Sequence, residues 1–205
     1  MNMKGIVKDA IMLFVITLVA GALLGAVHGI TLEPIAKAQQ EAANATYREV
    51  FPDATNFVTT DALTAAVESS ADTIAAQGFG SVSVDGAMEA QDASGNVIGY
   101  MITASSAEGY GGTVQISVGV TSDGVLTGVG FLTLSETPGL GMKAQEPEFK
   151  NQFPGKSIAD VFEVTKTTAS ADNQVQAISG ATITSSAVTG ALNAAAYFVN
   201  NCIAE

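Results

Sequence analysis

The chain has 205 residues, 47% of them hydrophobic, which is enough for one membrane segment plus one domain with a real core and too little for two large domains. Charged residues make up 14%, with 8 Lys+Arg against 20 Asp+Glu, and a net charge of -12 repels phosphate backbones, which excludes a nucleic-acid partner. One His, one Cys and no Trp leave neither a disulfide framework nor a multi-Cys/His metal or iron–sulfur site within the chain.

From Ala10 to Val27 (AIMLFVITLVAGALLGAV) no residue is charged, and Gly29 to Leu32 extends the apolar run past His28 toward the ~20 residues a helix needs to cross hydrocarbon. This predicts a transmembrane helix over 10–32. Lys4 and Lys8 precede the run and Glu33 follows it, so the positive-inside bias places residues 1–9 in the cytoplasm and the rest outside, in the periplasm where a second membrane exists. A cleaved signal peptide is the competing reading, with a small-x-small site at Gly25-Ala26-Val27; the length of the run favours an anchor in the lipid. Gly21, Gly25 and Gly29 recur at a spacing that lets another helix approach, although glycine is also simply common in membrane helices. His28 reads as an interfacial residue.

Residues 33–76 read as a juxtamembrane helical region. Pro34 to Val50 is rich in Ala, Gln and Glu with an incomplete apolar stripe, and Asp61 to Ala76 forms a second helix broken at Gln77-Gly78-Phe79-Gly80. Residues 77–205 change period. Val82 and Val84, then Val97 to Ile102, then Val114, Ile116, Val118 and Val120 alternate with small or polar residues, as half-buried strands do. Turns at Asp92–Asn96 and Ser122-Asp123-Gly124 separate these runs, and Val125 to Leu134 adds another strand, so an antiparallel meander is the economical arrangement. Ile183 to Asn200 then places Val188, Leu192, Ala195 and Val199 on one helix face for packing on the sheet. The class is α+β: one transmembrane helix, then a single domain with an antiparallel sheet flanked by helices. Its acidic surplus reads as solvated surface, because all but two of the basic residues and all but one of the acidic ones follow residue 32.

Nucleophilic catalysis has little to work with. The one His is at the membrane, far in sequence from the Ser-rich C-terminal region, and Cys202 reads as a small hydrophobe. Two loops stand out. Ser135-Glu136-Thr137-Pro138-Gly139-Leu140-Gly141 follows a strand, with a proline fixing the chain and two glycines opening its backbone to close approach. Ser179-Gly180-Ala181-Thr182 precedes the last helix and leaves the Thr182 hydroxyl among small neighbours. A helix N-terminus favours an anion there; the alternative is that Ser179 or Thr182 is merely the N-cap.

The segment Ile178 to Ser185 (ISGATITS), the loop SETPGLG with Lys143-Ala144 behind it, the run Glu108-Gly109-Tyr110-Gly111-Gly112 and the N-terminal anchor together resemble the G subunit of the Rnf electron-transport complex. They resemble, less closely, the C subunit of the sodium-translocating NADH:quinone reductase. The resemblance covers most of the chain. It implies an FMN-binding domain in which FMN is joined by a phosphodiester to Thr182, installed from FAD by a separate flavin transferase, with Thr184 as the alternative acceptor. Ser179, Gly180 and Ala181 would give the transferase room, while Glu136, Thr137, Gly139, Leu140 and Gly141 would sit against the flavin; Tyr110 would either stack nearby or pack on the sheet. One departure is Gln176, where many such motifs carry Asp. The implied role is an electron relay without independent catalytic activity, in a ferredoxin:NAD oxidoreductase that moves sodium or protons, beside membrane and iron–sulfur subunits. A membrane-anchored FMN sensor and a flavin-free structural ectodomain are the readings it competes with.

Overall fold

The computed structural model describes residues 3–203. Helix α1 runs from Met3 to Val50 and passes through Pro34. The juxtamembrane helix expected to start at Pro34 is therefore continuous with the apolar one. Proline removes one N–H from the ladder, and strong helix formers on both sides keep the helix going across that gap. Within α1, Ile11–Thr31 has a mean hydropathy of 2.3 and none of it is buried, so it is long and apolar enough to cross a membrane.

The chain divides into two compact units, residues 1–43 and residues 44–205. Residues 44–76, expected with the juxtamembrane region, thus pack as part of the second unit. Its centre is a five-stranded antiparallel sheet of β1 (Asn56–Val58), β2 (Val82–Gln91), β3 (Val97–Ser106), β4 (Val114–Thr121) and β5 (Leu126–Thr133), adjacent in chain order. The tight turns seen in the sequence make the meander. At the β2–β3 corner Asp92 Oδ1 accepts from the N–H groups of Ser94 and Asn96 at 2.8 and 2.9 Å, and these bonds, led by one from the Asn96 side chain, hold its carboxyl below the ordinary value.

On one face lie α2 (Asp61–Ala75) and α4 (Thr182–Asn201). Thr60 caps α2, its Oγ1 accepting from Leu63 N–H at 3.3 Å. The alternation in β4 sends Val114, Ile116, Val118 and Val120 into the core with Val188, Leu192 and Phe198 of α4, all fully buried. Each such side chain contributes about 1.5–3 kcal/mol relative to exposure.

The other face is closed by the end of α1. Val50 and Phe51 are buried with Ala54, Ala90 and Met101 in a second, smaller core. Glycines on β4 and β5 make room for them: a Cβ on Gly128 would sit 3.3 Å from the Val50 carbonyl oxygen, and one on Gly119 would sit 3.0 Å from Val50 Cγ1. Lys150 and Glu49 form an ion pair nearby.

Between β5 and α4 the chain makes a 3-10 turn at Gly141–Gln145, the short helix α3 (Pro147–Lys150) and two short parallel strands, β6 (Glu163–Thr165) and β7 (Gln174–Gln176). Buried Asn193 on α4 holds this segment, accepting from Phe162 N–H at 2.8 Å and donating to Phe162 O at 2.9 Å. Lys156 donates to Gln174 O at 2.6 Å, and burial pushes its ammonium below the ordinary value while Asp172 opposes that shift.

The Gly130 position tests the back-face packing. A Cβ there would meet the Thr46 methyl and lie 2.7 Å from Val50 Cγ2 and 2.8 Å from Ser117 Oγ. Gly130→Ala should destabilise by about 1–3 kcal/mol, seen as a lower thermal midpoint of the full chain in detergent. Gly86→Ala, where a Cβ meets nothing within 4 Å, should change stability by no more than about 0.5 kcal/mol and leave the midpoint close to that of the parent. Equal melting of the two variants would contradict this packing.

Candidate functional site

The two loops singled out in the sequence fold into the same local structure. In Thr137-Pro138-Gly139-Leu140 the Leu140 N–H donates to Thr137 O at 3.1 Å, Pro138 stands at the second position and Gly139 at the third has φ +76°. That is a type II turn, whose third residue needs the left-handed conformation glycine adopts freely. In Ile178-Ser179-Gly180-Ala181 the Ala181 N–H donates to Ile178 O at 2.9 Å and Gly180 has φ +77°. The second loop is the same turn type.

The turns touch. A Cβ on Gly180 would lie 3.1 Å from Leu140 Cδ2, and a Cβ on Gly141 would lie 2.6 Å from Thr184 Oγ1 and 2.6 Å from Glu136 Oε2. Glycine at 141 is what lets the β5 loop lie on the first turn of α4.

Ser185 is the anchor of this arrangement, a role that the sequence did not reveal. Its side chain is fully buried; Oγ accepts from Ile178 N–H at 3.0 Å and donates to Ala181 O at 3.0 Å. One hydroxyl therefore joins both ends of the turn to the helix. The ISGATITS motif contains Ser185, but its spacing cannot show that a serine in the helix's first turn folds back on the preceding loop.

Thr182 opens α4 half-buried. The N-cap is Ala181, with no side-chain cap bond, so neither Ser179 nor Thr182 takes the capping role left open by the sequence. The N–H groups of Thr182, Ile183 and Thr184 precede the first backbone bond of the helix, from Ser185 N–H to Ala181 O at 3.0 Å. A threonine hydroxyl and a helix N-terminus that favours anions thus share one place. Thr184, the alternative acceptor, is only 1% exposed and faces Gly141.

Thr182, Gly180 and Ser179 line an open cleft of about 640 Å³, whose other walls include Lys143, Phe149, Gln152, Lys166 and Gln176. The volume is in the range of cofactor sites. Gln152 reads the backbone of Gln176 from both sides, its Oε1 accepting from Gln176 N–H at 2.7 Å and its Nε2 donating to Gln176 O at 3.2 Å. The backbone of Gln176 is fixed, while its exposed side chain lines the cleft.

The other expected contacts divide. Ala181 is buried; Thr137, Gly139 and Leu140 are exposed beside the SGAT turn without lining the cleft. Tyr110 is 72% exposed. Glu136, expected to reach a flavin heteroatom, is 8% exposed, and its Oε1 accepts from Gly111 N–H at 3.3 Å. Its carboxylate ties the Gly109–Gly112 loop to Gly141 because the loop that follows β5 turns it inward. Cys202 ends α4, partly buried and unpaired, and His28 lies within the apolar span of α1.

Residues 109–197 match the family model of the FMN-binding domain, and residues 1–50 match that of the RnfG N-terminal region. The G subunit of the Na(+)-translocating ferredoxin:NAD(+) oxidoreductase complex of Acetobacterium woodii is 34% identical over 193 residues, 93% of this chain and 89% of that one. The G subunit of the ion-translocating oxidoreductase complex of Methanosarcina acetivorans is 33% identical over 198 residues, 96% of each chain. Among solved structures, Shewanella oneidensis NqrC aligns with 57% of this chain and 59% of its own at 22% identity and a TM-score of 0.48.

Ser185→Ala removes the acceptor of the Ile178 N–H and should destabilise the second unit by about 1–3 kcal/mol. The Ile178 amide should also exchange with deuterium faster than in the parent by more than the change in global stability accounts for. Ser186→Ala, on the exposed face of the same turn, should change neither; unaltered exchange in Ser185→Ala would remove the anchor role.

Proposed function

This chain belongs to the family of G subunits of ion-translocating oxidoreductase complexes, and on that premise we propose that it is a membrane-anchored relay passing electrons through an FMN bonded covalently to Thr182. The observation that carries the reading is the placement of the Thr182 hydroxyl: at the start of α4, free of a capping role, on the wall of a cofactor-sized cleft, in a loop pinned by Ser185.

The residues fit the group. The cleft admits a flavin nucleotide by volume, the first-turn N–H groups favour a phosphate, and the glycine turn leaves little bulk around the acceptor. In that attachment Thr182 would be the acceptor: its Oγ1 would bond to the phosphorus on the FMN side of FAD, the bond from that phosphorus to the bridging oxygen would break with AMP leaving, and the hydroxyl proton would pass to a base of the flavin transferase. Thr184 suits this less well, because its burial against Gly141 would force the β5 loop to open. When bound, FMN supplies electron transfer in single or paired steps. The protein fixes its position: Thr182 tethers it and the Ser179–Gly180 turn shapes the wall, with Leu140 supporting that turn at Gly180.

Around this centre, Ile11–Thr31 anchors the chain in the bilayer, with Lys4 and Lys8 on the cytoplasmic side and residues 44–205 outside. Ferredoxin and NAD are served by the partner subunits, including iron–sulfur ones, because this chain carries neither cluster ligands nor a dinucleotide fingerprint.

Coexpression of the full chain with a flavin transferase should add the mass of one FMN less water, retained after denaturation and mapped to the peptide containing Thr182. Thr182→Ala should abolish the addition and Thr184→Ala should retain it. A denatured chain without added flavin, or one still modified in Thr182→Ala, would refute the assignment.

A further inference from the structure

Two cations stand on the wall that carries Thr182. Lys143, in the 3-10 turn after the Thr137–Leu140 turn, and Lys166, just after β6, both line the cleft with Thr182 and Gly180. Neither forms an ion pair among the described residues, whereas Lys150, the last residue of α3, pairs with Glu49. The chain has only 8 basic residues against 20 acidic ones, so two unpaired lysines on one cleft are a marked local departure from the whole. Glu146 and Glu148 also line the cleft, which balances the formal charge of its walls and leaves an added anion to be met by the lysines and the α4 N-terminus.

The elements that deliver these lysines are fixed independently of any ligand. The 3-10 turn is held by Lys143 N–H to Leu140 O at 3.0 Å and by Glu146 N–H to Lys143 O at 3.0 Å. Strand β6 is paired with β7, and β7 is clamped through Gln152. Long, flexible ammonium side chains on rigid backbone suit a point-charge contact with a phosphate oxygen.

We propose that Lys143 and Lys166 are positioning residues for the phosphate joined to Thr182, together with the first-turn N–H groups of α4, and that they direct the flavin nucleotide into this cleft. The inference rests on the reading of Thr182 as the flavin site and adds to it the residues that recognise the phosphate. It concerns binding and holds with or without the covalent bond, which allows the two to be tested separately.

The test uses full-length Thr182→Ala chain in detergent, which cannot be loaded at that position, titrated with FMN and with riboflavin while flavin fluorescence is followed. Riboflavin shares the ring and ribityl chain and lacks the phosphate, so the ratio of the two affinities isolates phosphate recognition from any general loosening of the fold. FMN should bind at least about tenfold more tightly than riboflavin, the scale of one charge-assisted contact. Adding Lys143→Ala and Lys166→Ala together should reduce that ratio by about tenfold or more with riboflavin affinity unchanged, and Lys143→Arg with Lys166→Arg should restore it. An unchanged ratio in the double alanine background, an equal affinity for FMN and riboflavin in the parent, or no FMN binding up to about 1 mM would each overturn the proposal. Failure of the covalent reading would show instead as the absence of added mass in unsubstituted chain, whatever this ratio does.

Discussion

Everything at the site depends on the two hydrogen bonds of one buried hydroxyl. Ser185 Oγ takes the Ile178 N–H and gives its proton to Ala181 O, so a residue of the first helical turn fixes the loop that precedes it. Without these bonds a Ser-Gly-Ala sequence with Gly180 in the left-handed region would be among the most mobile stretches of the chain. With them, Thr182 is presented in one place, and the helix N-terminus beside it has a defined direction. The second turn, at Thr137–Leu140, is then positioned through Leu140 on Gly180 and Gly141 on Thr184. Two loops separated by some forty residues of chain act as one surface.

The scaffold beneath obeys an ordinary economy of faces. A meander sheet needs cover on both sides when its strands are apolar throughout, and β4 is buried from Val114 to Val120 apart from Gln115. Helix α4 covers one face and brings Thr182 to the cleft. The end of α1 covers the other, where glycines replace larger side chains so that Thr46 and Val50 can lie close to the strands. The helix whose apolar part can cross a bilayer thus ends as part of the core of the flavin-binding unit.

Much of this was legible in the sequence, and the reasons differ by element. Strands β2 to β5 announced themselves by alternation and by the turns at Asp92–Asn96 and Ser122–Gly124, both local signals. Helix α4 came within a residue at each end because its apolar face is regular. Strands β1, β6 and β7, three residues each, are too short to show a period. Residues 44–76 read as part of a juxtamembrane region because the glycines that receive Val50 are roughly seventy and more residues away from it in sequence. At the site, the motif pointed to Thr182 and to the β5 loop, but the inward turn of Glu136 and the backbone role of Ser185 follow from contacts across the fold. Lys143 was visible as part of a motif; Lys166 carried no sequence signal at all, and only the cleft unites them.

If electrons pass through a flavin held at Thr182, ferredoxin-dependent NAD reduction by membranes containing the assembled complex must depend on that one hydroxyl. With Thr182→Ala in this subunit, and the subunit shown by co-purification to remain in the complex, the rate should fall to background, whereas Thr184→Ala should sustain it. An undiminished rate in the Thr182→Ala complex would mean that the main electron path does not run through this residue, and the relay would have to be sought elsewhere in the assembly.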